Sequence, residues 1–275
     1  MHSRNVGIVR YICDEMRANK VTMESITADD VIAALSVYAD DGQREVLMRF
    51  FKTGPGEYGE GDRFLGLKVP QTRAVVKEVR RRVPLDEIAA LLACEWHEAR
   101  LAALLLLVEE MKGALPRRGR LLTDGAARRR EIVDFFLRHA RRANNWDLVD
   151  LSCEYILGEY LLYPQPDGTM PDRTILDSLA HSDNLWEQRI AIVSTLTLIR
   201  RGEFDDTLRV AALLLAHPHD LIHKAVGWML REVGKRDKDV LLGFLERHVQ
   251  SMPRTALRYA IEKFPEEERR SWLRR

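Results

Sequence analysis

The chain has 275 residues, of which 46% are apolar and 31% are charged, and its net charge is +1. That length and that apolar share are enough for a substantial hydrophobic core. No apolar run approaches the roughly 20 residues of a membrane-spanning helix, so we expect no membrane contact. A net charge so close to zero is not typical of a protein that binds a polyanion.

The N-terminal stretch MHSRNVGIVRYICDEMRANK has neither a long apolar core nor a small-residue cleavage site, so we expect no secretory signal. Cys13, Cys94 and Cys153 lie far apart, without CxxC spacing. That pattern excludes a cysteine metal site and suits the reducing cytoplasm. We therefore expect a cytoplasmic protein, associated with the nucleoid if it binds DNA.

Apolar residues recur at spacings of three and four along most of the chain, which predicts helices. Short polar breaks separate the helices, and no alternating stretch predicts a sheet. The predicted helical segments are VIAALSVYAD, RLAALLLLVEEM, REIVDFFLRHA, RIAIVSTLTLIR, LRVAALLLA, KAVGWMLREVG and VLLGFLERHV.

One long irregular segment, residues 52–70, contains five glycines and two prolines. It has no GK[ST] ending and no preceding strand, so a nucleotide-binding loop is disfavoured. Two other roles are open at this point. Its glycine-rich part, KTGPGEYGEG (52–61), is either a mobile loop that contacts DNA or a cap on the N-terminal end of the helical array.

Four helical segments resemble one another, at spacings of 49, 40 and 36 residues. Such spacings fit two helices per unit, near the period of HEAT-like repeats, which stack into a curved solenoid. The sequence therefore predicts an all-α α-solenoid over residues 1–275, as one continuous domain with a concave inner surface. The aligned segments are EWHEARLAALLLL (95–107), NNWDLVDLSCEYIL (144–157), NLWEQRIAIVSTL (184–196) and DLIHKAVGWMLREV (220–233), with His97 and Arg100 falling where Trp186 and Arg189 do.

Tryptophans share a face with charged groups on the predicted inner helices. Residues three or four apart on a helix are neighbours, and the pairs at that spacing are Trp146 with Asp150, Trp186 with Arg189, and Trp228 with Lys224 and Arg231. A charge buried beside an indole costs free energy. Three such pairs in successive repeats therefore favour a cleft with aromatic walls, cationic rims and one carboxylate over a core edged by snorkelling charges.

The chemistry of such a cleft restricts its ligand. Indole faces attract cations, and arginine and lysine attract phosphates. From Lys112 to Arg142, ten basic residues outnumber three acidic ones, a local balance of +7. Such a cluster matters more than net charge for contacting phosphates, although solvated helix faces explain it equally well. A ligand with both a cationic centre and phosphates fits, and DNA with a purine methylated at N3 or N7 is one.

These motifs make the chain resemble the AlkD-type DNA alkylation repair glycosylases, all-helical proteins of HEAT-like repeats. The resemblance runs from FLGLKVPQTR (64–73) almost to the C-terminus and is carried by NNWDLVD, SDNLWEQRIAI and HKAVGWMLRE in that order. The glycine-rich stretch 52–63 departs from the shorter versions of the family. By position, the resemblance implies a lesion site formed by Trp146, Asp150, Arg189 and Trp228.

The resemblance implies a monofunctional glycosylase of base excision repair. Such an enzyme hydrolyses the N-glycosidic bond of N3- and N7-alkylpurines in double-stranded DNA, with no metal or flavin, and leaves the damaged base stacked. We expect no lyase activity, because no lysine is a compelling Schiff-base nucleophile.

Each residue of the lesion site has an expected role. As the bond from C1′ to the base stretches, positive charge moves onto the sugar, so Asp150 serves as a fixed anion that also positions water. Trp146 and Trp228 flank the lesion and the sugar through cation–π contacts. Arg189 holds a phosphate. Asp147 is a competing carboxylate, but it points about 100° away on a helix and is expected to support the first helical turn.

The remaining candidates extend or limit this hypothesis. Trp186, Lys224 and Arg231 are expected to contribute to DNA binding. His219 and His223 have the i, i+4 spacing of metal ligands, but without a third ligand we expect no metal site. A DNA-binding relative without catalysis and a HEAT-type protein scaffold are the alternatives, and we expect a monomer.

Overall fold

The computed structural model describes residues 25–275. Within that part of the chain every regular element is a helix, and the only strand-like pairing is one isolated bridge between Arg63 and Trp96. The all-α class is therefore confirmed. Cys13 and the stretch considered as a secretory signal lie outside the described residues. Among the described residues, no helix is long and apolar enough to cross a membrane.

Fifteen α-helices are labelled here in chain order over the described residues. They are α1 (Ala28–Ser36), α2 (Asp41–Phe50), α3 (Val69–Val79), α4 (Leu85–Ala93), α5 (His97–Ala114), α6 (Ala126–Arg138), α7 (Trp146–Asp150), α8 (Ile175–Ala180), α9 (Leu185–Val193), α10 (Leu196–Arg200), α11 (Asp205–Leu214), α12 (Asp220–Gly234), α13 (Lys238–His248), α14 (Arg254–Ala260) and α15 (Glu266–Arg274). A 3₁₀ turn at Ala140–Arg142 and a π-helix at Glu154–Gly158 complete the set.

The helices group into two compact units. The first contains the described residues 25–113 together with 135–148, and the second contains residues 114–134 and 149–275. The expected single domain over residues 1–275 stays a prediction.

In the first unit, α1 packs against α3 and α4. Thr27 begins α1, because its hydroxyl accepts a hydrogen bond from the Asp30 N–H while the Asp30 carboxylate accepts one from the Thr27 N–H. This reciprocal capping satisfies two N–H groups at the helix start. The leucine-rich run 101–107 of α5 is buried along its whole length, which confirms it as a core helix.

The glycine-rich segment is fixed at its C-terminal half. The Glu98 carboxylate on α5 accepts hydrogen bonds from three successive N–H groups, those of Leu65, Gly66 and Leu67, each at 2.9 Å. Gly66 adopts a φ of +96°, and a Cβ placed there would lie 2.1 Å from the Asp40 carbonyl oxygen. Residues 65–67 are therefore held against α5.

In the second unit, helices contact one another in the succession that stacked repeats require. The helices α9, α12 and α14 pack one on the next, and α8 packs on α9 and α11. The helix α11 in turn packs on α12, which also contacts α13. This two-layer order of helix pairs confirms the predicted helical-repeat class.

Two helices that the sequence predicts as continuous are interrupted. The segment 144–157 contains the short α7, a turn and the π-helix, and the segment 189–200 is divided into α9 and α10. The two breaks meet in the second unit, where the Thr197 hydroxyl donates to the Glu154 carbonyl at 2.8 Å. A Cβ on Gly158 would lie 2.6 Å from the Ser194 carbonyl oxygen. These segments approach each other closely, and this tertiary contact interrupts the regular α-helical hydrogen bonding of both.

The tight packing at Gly66 gives a testable difference between two glycines. We expect Gly66→Ala to lower the free energy of unfolding by about 3 kcal/mol or more, because the methyl group meets backbone atoms as well as an unfavourable φ. Gly56, with a φ of +74°, has open space around its Cβ position, so Gly56→Ala costs only about 1–2 kcal/mol. Urea unfolding of both variants measures this difference, and equal losses would contradict it.

Candidate functional site

The helix α7 carries two of the predicted site residues at its ends. The buried Asn145 side chain precedes it, and its Oδ1 accepts a hydrogen bond from the Trp146 N–H at 2.8 Å. Asn145 therefore caps α7 through the first N–H of the helix. Trp146 begins α7 and Asp150 ends it.

Asp150 is held by Arg189 of α9 in a two-point contact. The Arg189 Nε donates to Asp150 Oδ1 at 2.9 Å, and Nη2 donates to Oδ2 at 2.8 Å. The Arg189 side chain is 6% exposed and the Asp150 side chain 15% exposed. The third guanidinium nitrogen, Nη1, donates to the Leu221 carbonyl at 2.6 Å. A fork of two parallel bonds fixes the orientation of a carboxylate and favours its ionised form.

Arg189 has structural contacts that the sequence did not predict. All three of its guanidinium nitrogens are engaged within the second unit, so the phosphate contact stays a prediction that would require Arg189 to leave a partner. Trp186, on the same helix, is 7% exposed. An indole buried to that extent presents little surface to DNA, so the DNA contact expected for Trp186 stays a prediction.

Trp228 is half-buried on α12, where the helix comes unusually close to α14. The preceding residue is Gly227, and a Cβ there would lie 2.5 Å from both the Ala256 carbonyl oxygen and the Tyr259 Cβ. Only a glycine permits this approach without a shift. The contact between α12 and α14 thus sets the position of Trp228 within the second unit.

The two basic candidates on α12 are both in ion pairs. Lys224 Nζ lies 2.8 Å from the Asp220 carboxylate, one turn earlier, and its side chain is 41% exposed. Arg231 is bound to Glu262, and it lines a cavity together with Lys238 and Lys263. Lys224 can exchange a solvated partner for a phosphate at little cost. Arg231 would have to exchange Glu262.

Trp146 lies in an aromatic cluster of the first unit. Its ring stacks on Phe51 with centroids 5.4 Å apart and meets Phe50 edge-on at 5.9 Å. Phe50 is 60% exposed, unusual for so large an apolar side chain. The half-buried Trp146 is therefore placed by aromatic packing as well as by the start of α7.

A buried charged network, not expected from the sequence, lies next to this cluster. The His97 ring places Nδ1 2.8 Å from the Asp62 carboxylate and Nε2 2.9 Å from the Asp147 carboxylate. Arg100 binds the other Asp62 oxygen. Burial works to lower the pKa of His97, but the carboxylates of Asp147 and Asp62 outweigh it and raise the pKa to about 9. His97 is a cation at neutral pH.

Asp147 has a firm place in this network. It is buried against His97, so the competing carboxylate of the sequence argument is committed to an ion pair. Asp150 is also ion-paired, but it is the more accessible of the two carboxylates of α7, with 15% of its side chain exposed against 7% for Asp147. This sorting strengthens Asp150 as the candidate.

The sequence matches the model of a known protein family. The sequence model of the family described as DNA alkylation repair enzyme matches residues 31–264. The chain belongs to this family. The resemblance drawn from NNWDLVD, SDNLWEQRIAI and HKAVGWMLRE is thereby confirmed, and a role in DNA repair is supported.

A solved structure shows the same fold. The protein described as a predicted DNA alkylation repair enzyme from Enterococcus faecalis is 18% identical to this chain, with a TM-score of 0.60. The match covers 83% of this chain and 97% of the other. No curated protein matches the sequence.

Part of the arginine cluster between Lys112 and Arg142 has a structural function. Arg129 is buried, and its guanidinium donates to the carbonyls of Ala114, Leu122, Asp124 and Pro164 at 2.7–3.0 Å. Arg129 therefore closes the loop between α5 and α6. Arg117, Arg118 and Arg120 in that loop are exposed, so they carry whatever phosphate affinity the loop has.

The histidines of α12 have ordinary structural roles. The His219 Nδ1 accepts a hydrogen bond from the Leu221 N–H at the start of the helix, and the His223 ring bonds to the His217 carbonyl. Among residues 25–275, no cluster of three or more His, Cys, Asp or Glu side chains could hold a metal ion.

Burial distinguishes the two cationic candidates energetically. We expect Arg189→Ala to lower the free energy of unfolding by about 3–5 kcal/mol, because Asp150 and the Leu221 carbonyl lose their partner. The matched control is Lys224→Ala, which removes a solvated ion pair and costs about 0.5 kcal/mol or less. Denaturant unfolding measures both values. A loss below about 1 kcal/mol for Arg189→Ala would contradict the ion-pair geometry.

Proposed function

We propose that the protein is a monofunctional DNA glycosylase that excises N3- and N7-alkylpurines from double-stranded DNA. These alkylated bases carry a positive charge. The observation that carries the proposal is the Asp150 carboxylate, fixed by the Arg189 fork and partly exposed in the second unit. A preorganised anion is what a reaction that develops positive charge requires.

The reaction requires little from the enzyme besides that anion. A cationic alkylpurine leaves as a neutral base, so no general acid is needed, and water completes the hydrolysis at C1′. At about 4 Å and an effective dielectric near 20, one carboxylate stabilises a unit positive charge by about 4 kcal/mol. That corresponds to roughly a thousandfold in rate. Because Arg189 shares the charge of Asp150, this is an upper figure, and it suits a labile bond better than a neutral purine.

Aromatic faces supply the second part of the proposal. Trp228, half-buried on α12, offers an indole to a cationic base or sugar, a contact worth about 0.5–2 kcal/mol. Trp146 begins the helix that Asp150 ends and is the second aromatic group proposed. As the family resemblance implies, the damaged base would be contacted while it stays stacked in the DNA duplex, so no pocket for a flipped base is required.

Two cations of α12 are proposed to bind the DNA backbone. Lys224 is the first of these because its side chain is 41% exposed and its ion pair with Asp220 is solvated. Arg231 is the second, through exchange of Glu262 for a phosphate. These contacts position the duplex and carry no sequence information. We propose that the protein acts as a monomer in the cytoplasm, on nucleoid DNA.

One observation favours a second function. Because the Arg189 fork neutralises Asp150, the pair resembles a structural ion pair as much as a catalytic one. A DNA-binding member of the family without glycosylase activity would show the same geometry. Catalysis therefore has to be measured on the Asp150 side chain itself.

We expect Asp150→Asn to reduce the single-turnover release of N7-methylguanine from a duplex by about a hundredfold to a thousandfold, because the charge near C1′ is lost. Asp177→Asn is the control, since Asp177 also pairs with an arginine, Arg209, but on the more exposed α8. The DNA strand is expected to stay intact until alkali is added. Equal release by wild type and Asp150→Asn would remove Asp150 from the mechanism, and DNA binding without release would favour the second function.

We expect Lys224→Ala to weaken binding of undamaged duplex and to reduce the slope of log K against log salt by about 1, since one phosphate contact is lost. Lys77→Ala, an exposed lysine of α3 in the first unit, serves as the control and is expected to leave the slope unchanged. Fluorescence anisotropy between about 50 and 200 mM salt measures both. Identical slopes for Lys224→Ala and wild type would exclude the contact.

A further inference from the structure

The network around His97 is too well buried to be a chance surface contact. The side chains of Asp62 and His97 are each 2% exposed, that of Asp147 7% and that of Arg100 3%. Buried charges are costly unless each is paired. Two carboxylates, one imidazolium and one guanidinium balance one another here, all within the first unit.

The protonation state of His97 follows from geometry. Ionised carboxylates only accept hydrogen bonds, and each imidazole nitrogen faces one. Both ring nitrogens must therefore carry a proton. Asp147 Oδ1 is buried without a hydrogen-bond partner among the described residues, so the His97 cation is the main stabilising partner of the Asp147 charge. Removal of the proton would leave that carboxylate buried and unpaired.

The same network holds Trp146 in place through three contacts. Asp147, the next residue, bonds to the His97 ring. Asn145, the preceding residue, donates to Asp62 at 3.3 Å and accepts from the Trp146 N–H. The Phe51 ring stacks on Trp146 on one side and lies 5.1 Å from the His97 ring. The two residues adjacent to Trp146 in sequence, and the phenylalanine stacked on its indole, are thus all linked to the His97 network.

Phe64 completes the enclosure of the imidazolium. Its ring stacks on His97 with centroids 4.4 Å apart and on Phe51 at 5.2 Å. An aromatic face stabilises a desolvated cation. None of these contacts was expected from the sequence, and the proposed chemistry does not use His97.

We propose that His97 is a positioning residue of the glycosylase site, whose imidazolium, held between Asp62 and Asp147, fixes Trp146 in the orientation that receives the lesion. This inference rests on the proposed function for its consequence in catalysis. The coupling between His97 and Trp146 is testable without any substrate.

The inference has a defined pH dependence. Other charged groups around the ring are few: Arg100 binds Asp62, Arg142 donates to the Leu92 carbonyl nearby, and Glu98 is occupied by the N–H groups of residues 65–67. The pKa of His97 is raised to about 9. The network is therefore intact below that pH and is lost as the pH rises through about 9, when the imidazolium loses its proton.

The test uses the full chain labelled with 5-fluorotryptophan and ¹⁹F NMR. The Trp146 resonance is identified by its loss in Trp146→Phe and followed from neutral to alkaline pH. We expect a step in its chemical shift with a midpoint near pH 9. In His97→Gln the step is absent. His139→Gln is the matched control, because the His139 ring also packs on a phenylalanine, Phe135, at 4.3 Å but bonds to a backbone carbonyl; it retains the step.

Activity at neutral pH provides the second readout. We expect His97→Gln to slow single-turnover release of N7-methylguanine by about tenfold to a hundredfold, with duplex affinity nearly unchanged, and His139→Gln to match wild type. No step in the wild-type Trp146 resonance, or a step that survives in His97→Gln, would overturn the coupling; the wild-type titration decides even if His97→Gln does not fold. A His97-dependent step with unchanged release would overturn the positioning role. If wild type releases no base while the step is present, the proposed function fails and the coupling stands.

Discussion

A carboxylate removed from water stays ionised only beside a cation or hydrogen-bond donors that stabilise its charge, and the candidate site depends on that constraint. In the second unit Arg189 supplies the cation for Asp150 through two parallel hydrogen bonds. In the first unit Arg100 and His97 supply it for Asp62, and His97 for Asp147. Arg100 and Arg189 occupy corresponding positions in the aligned repeats, so the arginine at this repeat position binds a carboxylate in both cases.

The sequence predicted the fold class well because helical periodicity and repeat spacing are local properties of the chain. The leucine-rich part of α5 and the stacked order of α9, α12 and α14 agree with those patterns. The breaks around the π-helix were not predicted. They arise where the Thr197 hydroxyl and the close approach at Gly158 override the local preference, and periodicity contains no information about such contacts.

Site residues were predicted less completely than the fold. Asp150 and Arg189 were singled out from their motifs, but their pairing was not, since a separation of 39 residues reveals no partner. The His97 network was missed, although the alignment already placed Arg100 where Arg189 stands. That correspondence was the available signal. An arginine repeated at one position of an inner helix indicates that each copy pairs with a carboxylate. Asp62 lies in the irregular segment, where no periodicity could indicate it.

We propose that a fixed anion, without a general acid, drives excision of a base that already carries a positive charge. The most direct measurement compares base release by the wild-type protein from duplexes that contain either N7-methylguanine or the neutral purine hypoxanthine, each relative to its uncatalysed rate. We expect accelerated release of N7-methylguanine and no accelerated release of hypoxanthine, because hypoxanthine leaves only with a proton that the site does not donate. Comparable acceleration of both bases would contradict it, since a general acid would then have to be present.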